Sequence, residues 1–199
     1  LITRIDEWVL NAAAHQLQGW RAQGHVDWQV AVNISGLHVR HHGLVDHVRE
    51  VLERYALPAQ ALAIEITETM AVRDAEAIAM LEELAELGVC LSIDVFGCGY
   101  SSLSYIKRLP VRELKIDRSF ITEVCSGSID AAIVASVVTL GRALQLRVVA
   151  EGIEDAEQQA LLSQLGCDVL QGFWLGRPVP ASQFLTGRAQ REGSASLEV

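Results

Sequence analysis

Six polar residues each stand at the end of a short apolar segment with the composition of a β-strand. In chain order they are Asn33, Glu65, Asp94, Lys115, Glu151 and Gln171. The segments alternate with helical ones, a pattern typical of a repeated strand–helix unit. Because the carboxyl ends of parallel strands meet at one side of a barrel, we expect these side chains to line one shared site.

The chemistry of this set indicates a metal-dependent site. The carboxylates of Glu65 and Asp94 and the amide oxygen of Asn33 suit a hard divalent cation such as Mg²⁺, Mn²⁺ or Ca²⁺ better than zinc. Lys115 would supply positive charge to a phosphate oxygen, or orient or deprotonate a water. The indicated reaction is metal-assisted hydrolysis of a phosphodiester, in which paired metals about 3.5–4 Å apart hold the attacking water and the phosphate.

Each residue also has a plain structural interpretation. Asn33 could be a strand-end or turn residue, and Lys115 could form a buried ion pair with Asp94. Glu65 and Glu68 could simply flank the following helix, although Glu68 could also anchor a loop at the site. The joint placement of these residues at successive strand ends favours the shared site.

Apolar periodicity predicts the elements that carry these residues. Helices are expected at 2–22, at about 43–55, between an Asp74 N-cap and Gly88, from Ser101 to Pro110, at about 129–145 and at 155–165. Strands are expected at 30–34, 61–67, 89–94, 113–116, 146–151 and 168–171. The charges at 4–6 and at 82–86 are predicted to lie on solvated helix faces.

This alternation predicts an α/β fold with a parallel sheet, as an open doubly wound sheet or a closed barrel. An open sheet gathers its ligand at one switch point, whereas a barrel brings all strand ends together. The pattern therefore favours a TIM-like (β/α)₈-type barrel. About six strands are visible, so the first strand–helix unit is expected to be missing from these residues.

Composition limits the classes of function. The 199 residues carry a formal charge of −9, which argues against binding to nucleic-acid polymers or anionic membranes through charge. No apolar run is long enough to span a membrane. Four scattered cysteines predict a reduced, cytoplasmic protein. We expect one domain over residues 1–186 and a flexible tail over 187–199.

Several motifs resemble the EAL domain family, the bacterial enzymes and receptors for cyclic dimeric GMP (c-di-GMP). The matching segments are VAVNIS at 30–35, EITE at 65–68, DVFGCGYSSL at 94–103, LKIDRSF at 114–120, AEGIE at 150–154 and QGF at 171–173. The resemblance implies a (β/α)₈-type barrel. It also implies hydrolysis of c-di-GMP to the linear dinucleotide with Mg²⁺ or Mn²⁺.

The resemblance also assigns roles to individual residues. It implies that the metal ligands are Asn33, Glu65, Asp94 and Glu151, and that Lys115 lies near the attacking water. Lys115, Glu68 and Glu151 are the implied catalytic residues, with Glu68 anchoring the loop after Asp94. Asn33, Asp94 and Gln171 are the implied contacts to the nucleotide.

Two departures from the family pattern bear on activity. The family's Glu-Ala-Leu segment belongs upstream of residue 1 and is absent from these residues. The family's paired Asp-Asp is Asp94-Val95 here, so the second metal would lose a ligand at Val95 and bind weakly. We therefore expect one ion, or none, at the site.

Three hypotheses follow. The first is a degenerate domain that binds c-di-GMP without cleaving it and regulates a protein partner or a second copy of itself. The second is an active phosphodiesterase that tolerates Val95. The third is a protein-interaction module that no longer binds the nucleotide.

Overall fold

The computed structural model describes residues 1–39, 43–67, 75–96, 106–127 and 129–185, with the backbone alone at 95 and 96. Six parallel strands form one sheet in sequence order, and the sheet curls into part of a barrel. The strands are β1 (Val30–Asn33), β2 (Leu62–Thr67), β3 (Cys90–Phe96), β4 (Glu113–Ile116), β5 (Arg147–Glu151) and β6 (Val169–Gln171). This confirms the predicted α/β fold of the TIM-like type.

Helices connect most of these strands. They are α1 (Ile2–Ala22), α2 (Gly36–Val39), α3 (Leu44–Arg54), α4 (Ala75–Leu87), α5 (Ile129–Leu144) and α6 (Ala156–Leu165). Gly88 has φ +94°, which suits the predicted glycine after α4. The predicted Asp74 cap, most of the predicted 101–110 helix and the predicted tail lie outside the described residues. No helix that the structure describes is long and apolar enough to cross a membrane.

Alternation along the strands separates the core from the inner face of the sheet. In β2, Leu62, Ile64 and Ile66 are buried in the main apolar core. The intervening Ala63 and Glu65 point to the opposite face, because successive side chains of a strand alternate. The same alternation places Ser92, Asp94, Glu113, Lys115, Val149 and Glu151 on that inner face. The inner face is therefore small or polar, which leaves room for a site.

β3 differs from its prediction in length. It continues to Phe96, so Asp94 does not end the strand. Ile93 pairs with Leu114 and Phe96 with Ile116, so two residues of β3 oppose one residue of β4. This is a β-bulge, a feature that often redirects side chains next to active sites. Asp94 and Val95 are the two residues opposite Lys115.

The end of the described chain packs beside its first helix. Residues 181–185 are helical, and the Phe184 ring lies 5.4 Å from Trp20 and 5.6 Å from Trp28 between ring centroids. Trp20 lies in the last turns of α1 and Trp28 precedes β1. This aromatic contact links the segment after β6 to the first helix.

Candidate active site

Lys115 lies at the centre of an acidic group on the inner face of the sheet. Its Nζ atom is 2.7 Å from Glu65 Oε1 and 2.6 Å from Glu151 Oε1. Asp94 Oδ1 is farther away, at 3.8 Å. The ion pair with Asp94 considered from the sequence is therefore the weakest of three contacts. Lysine at this depth needs such partners, because its side chain is only 6% exposed.

Strand order explains how residues far apart in sequence meet here. Lys115 is in β4, which pairs with β5 and β3, while Glu65 is in β2. Side chains that fill a barrel come in layers from alternate strands, so residues of β2 and β4 can share a level. Glu151 reaches Lys115 from the carboxyl end of the adjacent β5. The three residues therefore converge from three strands.

Electrostatics at this group reflect burial and an excess of negative charge. Burial alone would lower the pKa of Lys115, but its hydrogen bonds and charge contacts with Glu151 and Glu65 raise it above 10.5. Burial raises the pKa of Glu151 above 4.5, and the negative charges of Asp94 and Glu65 add to this against the opposing effect of Lys115. Three carboxylates surround one ammonium, so a cation would be attracted to the group.

The other residues predicted for the site lie around this centre. Asn33, at the exposed end of β1, is in register with Glu65. Gln171, at the exposed end of β6, is in register with Glu151. Glu68 lies outside the described residues. The structure thus brings four of the predicted residues into one group and places Asn33 and Gln171 on strands at its two sides.

A cavity of about 240 Å³ adjoins Glu151 at the carboxyl ends of β5 and β6. Its lining is Arg118, Glu151, Gly152, Glu154, Gln171, Gly172, Phe173, Gly176 and Pro178. Two of these lining residues form an ion pair, with Arg118 Nη2 at 3.6 Å from Glu154 Oε1. A Cβ atom at Gly152 would lie 2.5 Å from the Arg118 side chain, so the absence of a side chain at Gly152 leaves room for Arg118. The cavity therefore lies beside the lysine centre and has both charged and apolar residues in its lining.

The donor atoms of this group bear on whether it could hold a metal ion. Among the described residues, no three histidine, cysteine, aspartate or glutamate side chains are grouped as a formed metal site. The excess of carboxylate oxygens nonetheless fits a hard divalent cation in charge and donor type. Glu65, Asp94 and Glu151 are the residues that would hold it, with Asn33 at the edge. The carboxylates now bonded to Lys115 would have to share their oxygens with the cation.

Sequence reasoning missed two buried carboxylates. Asp6 was predicted on a solvated helix face, but it is only 5% exposed and accepts hydrogen bonds from Ser35. Glu113 is 7% exposed and accepts hydrogen bonds from the Ser92 hydroxyl and the Arg147 guanidinium. In each case the partner is distant in sequence, so local periodicity carries no signal of the contact.

Arg118 was also missed as a residue lining the cavity. It follows Asp117, which caps the short 3₁₀ turn Arg118–Phe120 by accepting the Ser119 N–H. The signal in the sequence was the position of this turn directly after β4. Residues that follow the carboxyl ends of barrel strands are placed around the same mouth.

A curled parallel sheet with acidic side chains and a buried lysine at one mouth defines a TIM-like barrel protein with a polar site at the carboxyl ends of its strands. The chain belongs to the EAL domain family, whose sequence profile matches residues 1–178. This confirms the resemblance seen in the motifs, and the chain is an EAL domain.

Individual relatives agree with this assignment. The chain is 54% identical over 190 residues to the bifunctional diguanylate cyclase/cyclic di-GMP phosphodiesterase MucR of Pseudomonas aeruginosa, covering 95% of this chain and 28% of the relative. A solved structure of PaMucR phosphodiesterase in complex with c-di-GMP is 54% identical with a TM-score of 0.88, covering 92% of this chain and 74% of that one. The EAL domain of Mycobacterium smegmatis DcpA is 37% identical with a TM-score of 0.90, covering 96% and 86%. The chain spans about a quarter of the curated relatives it matches.

Proposed function

We propose that this chain binds c-di-GMP at the carboxyl ends of its strands and that its hydrolytic activity is impaired. The observation that carries the proposal is the Lys115 centre, which holds Glu65 at 2.7 Å and Glu151 at 2.6 Å with Asp94 beside them. The MucR phosphodiesterase, which is 54% identical, has been solved in complex with c-di-GMP. A shared ligand follows most directly from that similarity.

The roles proposed for the residues follow from their charge and position. A bound Mg²⁺ or Mn²⁺ would polarise the phosphate and lower the pKa of a water. Glu65, Asp94 and Glu151 would hold the cation, while the ammonium of Lys115 would orient the nucleophilic water or contact a phosphate oxygen. The 240 Å³ cavity is smaller than the roughly 300–1,000 Å³ of pockets that enclose a whole ligand. It would therefore hold only part of the dinucleotide, beside Gln171.

Impairment is inferred from Val95. The β-bulge opposes both Asp94 and Val95 to Lys115, and this neighbourhood supports our taking position 95 as that of the second ligand. Valine carries no donor atom, and a second cation would be held weakly there. Loss of one electrostatic contact to the transition state costs about 10²–10³ in rate. We propose that such a loss separates this chain from efficient phosphodiesterases.

The second candidate function is hydrolysis of c-di-GMP to the linear dinucleotide. It is favoured by the 54% identity to a relative named as a cyclic di-GMP phosphodiesterase. It is also favoured by the intact contact between Lys115 and Glu151. If the lysine centre alone supports turnover, a single cation would suffice.

The two candidates are separated by calorimetric titration of c-di-GMP into the full-length protein, once in Ca²⁺ and once in Mn²⁺. The Mn²⁺ sample is then assayed for linear product by chromatography. We expect binding in both buffers and product at a rate at least about 100-fold below that of the Val95→Asp variant. Product at an equal rate would establish the enzyme, and no heat in either buffer would favour a protein-interaction module.

A matched pair of variants links any binding to the proposed site. Glu151→Gln changes a carboxylate beside Lys115, and Glu113→Gln changes a buried carboxylate two residues from Lys115 at the amino end of β4. We expect Glu151→Gln to weaken c-di-GMP binding at least about tenfold, the scale on which metal-site partners act. Glu113→Gln should leave binding within twofold. Equal effects would place the ligand elsewhere.

A further inference from the structure

The turn that follows Asn33 is fixed from outside the sheet by a buried carboxylate. Asp6, in the first turns of α1, is 5% exposed. Its Oδ2 atom accepts the backbone N–H of Ser35 at 3.1 Å and the Ser35 hydroxyl at 2.5 Å. A buried carboxylate is costly without such donors. Asp6 therefore belongs to a specific contact between α1 and the turn.

His38 completes this cluster. Its ring is 2% exposed, and its Nδ1 atom lies 3.3 Å from Asp6 Oδ2. The backbone N–H of His38 donates to the Ser35 carbonyl at 2.9 Å, and that of Val39 donates to the same oxygen at 3.1 Å. Ser35 thus begins the short α2 helix while its side chain is bonded to α1. We call Asp6, Ser35 and His38 the α1 clamp.

The clamp matters because β1 is the edge strand of the described sheet. β1 is only four residues long, and its pairing partner is β2. After Asn33, the Ile34 N–H donates to the Glu65 carbonyl at 3.0 Å, which holds the turn from the β2 side. The α1 clamp holds the turn from the other side through Ser35. Asn33 lies directly before these two attachments.

We propose that Asp6 is a positioning residue that sets where the Asn33 amide stands relative to Glu65, and that metal affinity depends on it through Asn33. The inference rests on the proposed function, since it takes Asn33 to be a ligand. Asp6 itself touches neither Asn33 nor any site carboxylate in the contacts described. Partners that orient a ligand typically change metal affinity about 10–100-fold when removed.

The experiment measures Mn²⁺ affinity of the full-length protein by electron paramagnetic resonance of the free ion, which needs no turnover. We expect Asp6→Ala to weaken Mn²⁺ binding about tenfold and Ser35→Ala, a milder change that keeps the backbone donor, to weaken it less. Asn33→Ala should weaken it by at least as much as Asp6→Ala. The double variant should match Asn33→Ala, because Asp6 would act only through Asn33.

Arg147→Met is the control, since it removes the half-exposed partner of the buried Glu113 carboxylate at the opposite end of the strands. It should leave Mn²⁺ affinity within twofold. The proposal is overturned if Asp6→Ala also stays within twofold, or if its effect adds fully to that of Asn33→Ala. Asp6→Asn, which keeps one acceptor oxygen, serves if the alanine variant does not fold.

A second readout separates failure of this proposal from failure of the proposed function. The side-chain amide signals of Asn33 are recorded by NMR in metal-free protein for the same variants. If the unmodified protein binds no Mn²⁺, the proposed metal site is wrong. The NMR result alone then tests whether the α1 clamp positions the Asn33 amide. Signals that move in Asp6→Ala and Ser35→Ala but not in Arg147→Met support it, and unmoved signals overturn it.

Discussion

Replacing Lys115 with methionine tests the charge arrangement at the centre of the site. The side chains of Lys115 and Glu65 are 6% and 9% exposed, and that of Glu151 is 21% exposed. Methionine fills similar space but removes the ammonium, so two carboxylates lose their shared partner. Removing one partner of a buried ion pair typically costs 3–5 kcal/mol. We expect the free energy of unfolding at pH 7 to fall by about 4 kcal/mol, or roughly 8–16 °C in Tm for a domain of this size.

The pH dependence of this loss has a definite sign. Because the pKa of Glu151 in the folded protein is raised above 4.5, the folded state binds more protons than the unfolded state between 4.5 and that raised value. The free energy of unfolding therefore falls as pH rises through this window. Lys115 lowers the pKa of Glu151, so without it this pKa rises further and the pH window extends upward. The Lys115→Met variant should therefore become more stable as the pH falls from 7 toward 5. In the unmodified protein, the raised pKa of Lys115 means that the stability due to its charge is present below 10.5 and is lost as pH rises through the raised value.

Divalent cations should distinguish this centre from an ordinary ion pair. In Lys115→Met the freed carboxylates can bind Mn²⁺ without competition from the ammonium, and a cation at 100 times its dissociation constant stabilises by about 2.7 kcal/mol. The control is Arg147→Met, which strips Glu113 of a half-exposed partner and should cost only about 1–2 kcal/mol. Urea unfolding with and without Mn²⁺, at matched ionic strength, measures both effects. A loss under 1 kcal/mol for Lys115→Met, or an equal Mn²⁺ response in both variants, would refute the reasoning.

Three further predictions concern other parts of the molecule. Val95→Asp should raise Mn²⁺-dependent c-di-GMP hydrolysis about 10²–10³-fold, as measured by product chromatography, and an unchanged rate would count against impairment at this position. Gly172→Ala should lower the free energy of unfolding in urea by at least about 2–3 kcal/mol, because its Cβ would lie 2.2 Å from backbone atoms of Ile153. Gly19→Ala is the control, since its Cβ would meet nothing within 4 Å, and it should not lower the free energy of unfolding. Partial burial raises the pKa of the Cys167 thiol to about 11, so its alkylation at pH 8, followed by mass spectrometry, should be about 100-fold slower than that of an ordinary cysteine. A rate equal to that of an ordinary cysteine would contradict the raised pKa.

The ends of the strands could be predicted because the alternation of residue types within a single strand is visible in the sequence. In β2 the alternation of Leu62, Ile64 and Ile66 with Ala63 and Glu65 is visible in the sequence, and it sets which side chains share a face. The same is true of Gly88, whose place after a helical pattern predicts a positive φ. Strand order then follows from the repeated crossovers.

Contacts between strands could not be read in this way. The bulge at Asp94 depends on how β3 registers against β4, and neither strand shows it alone. Asp6 was placed on a solvated face because its partner Ser35 lies 29 residues away. Lys115 lies closer to Glu65 and Glu151 than to Asp94 because of how the strands are staggered around the barrel.

Glu113 and Lys115 lie two residues apart on the same face of β4, yet the charged groups around them differ. The Glu113 carboxylate meets the Arg147 guanidinium at 2.6 Å and the Ser92 hydroxyl at 3.1 Å, so its single charge is balanced. Lys115, nearer the carboxyl end, has three carboxylates around its ammonium, at 2.7 Å from Glu65, 2.6 Å from Glu151 and 3.8 Å from Asp94. Burial raises the pKa of Glu151, and the negative charges of Asp94 and Glu65 add to this against the effect of Lys115. A cation added beside these carboxylates would stabilise their charged forms. The grouping of carboxylates around Lys115, more than the number of polar residues, therefore supports the proposal that a metal and an anionic nucleotide bind at the carboxyl end of the strands.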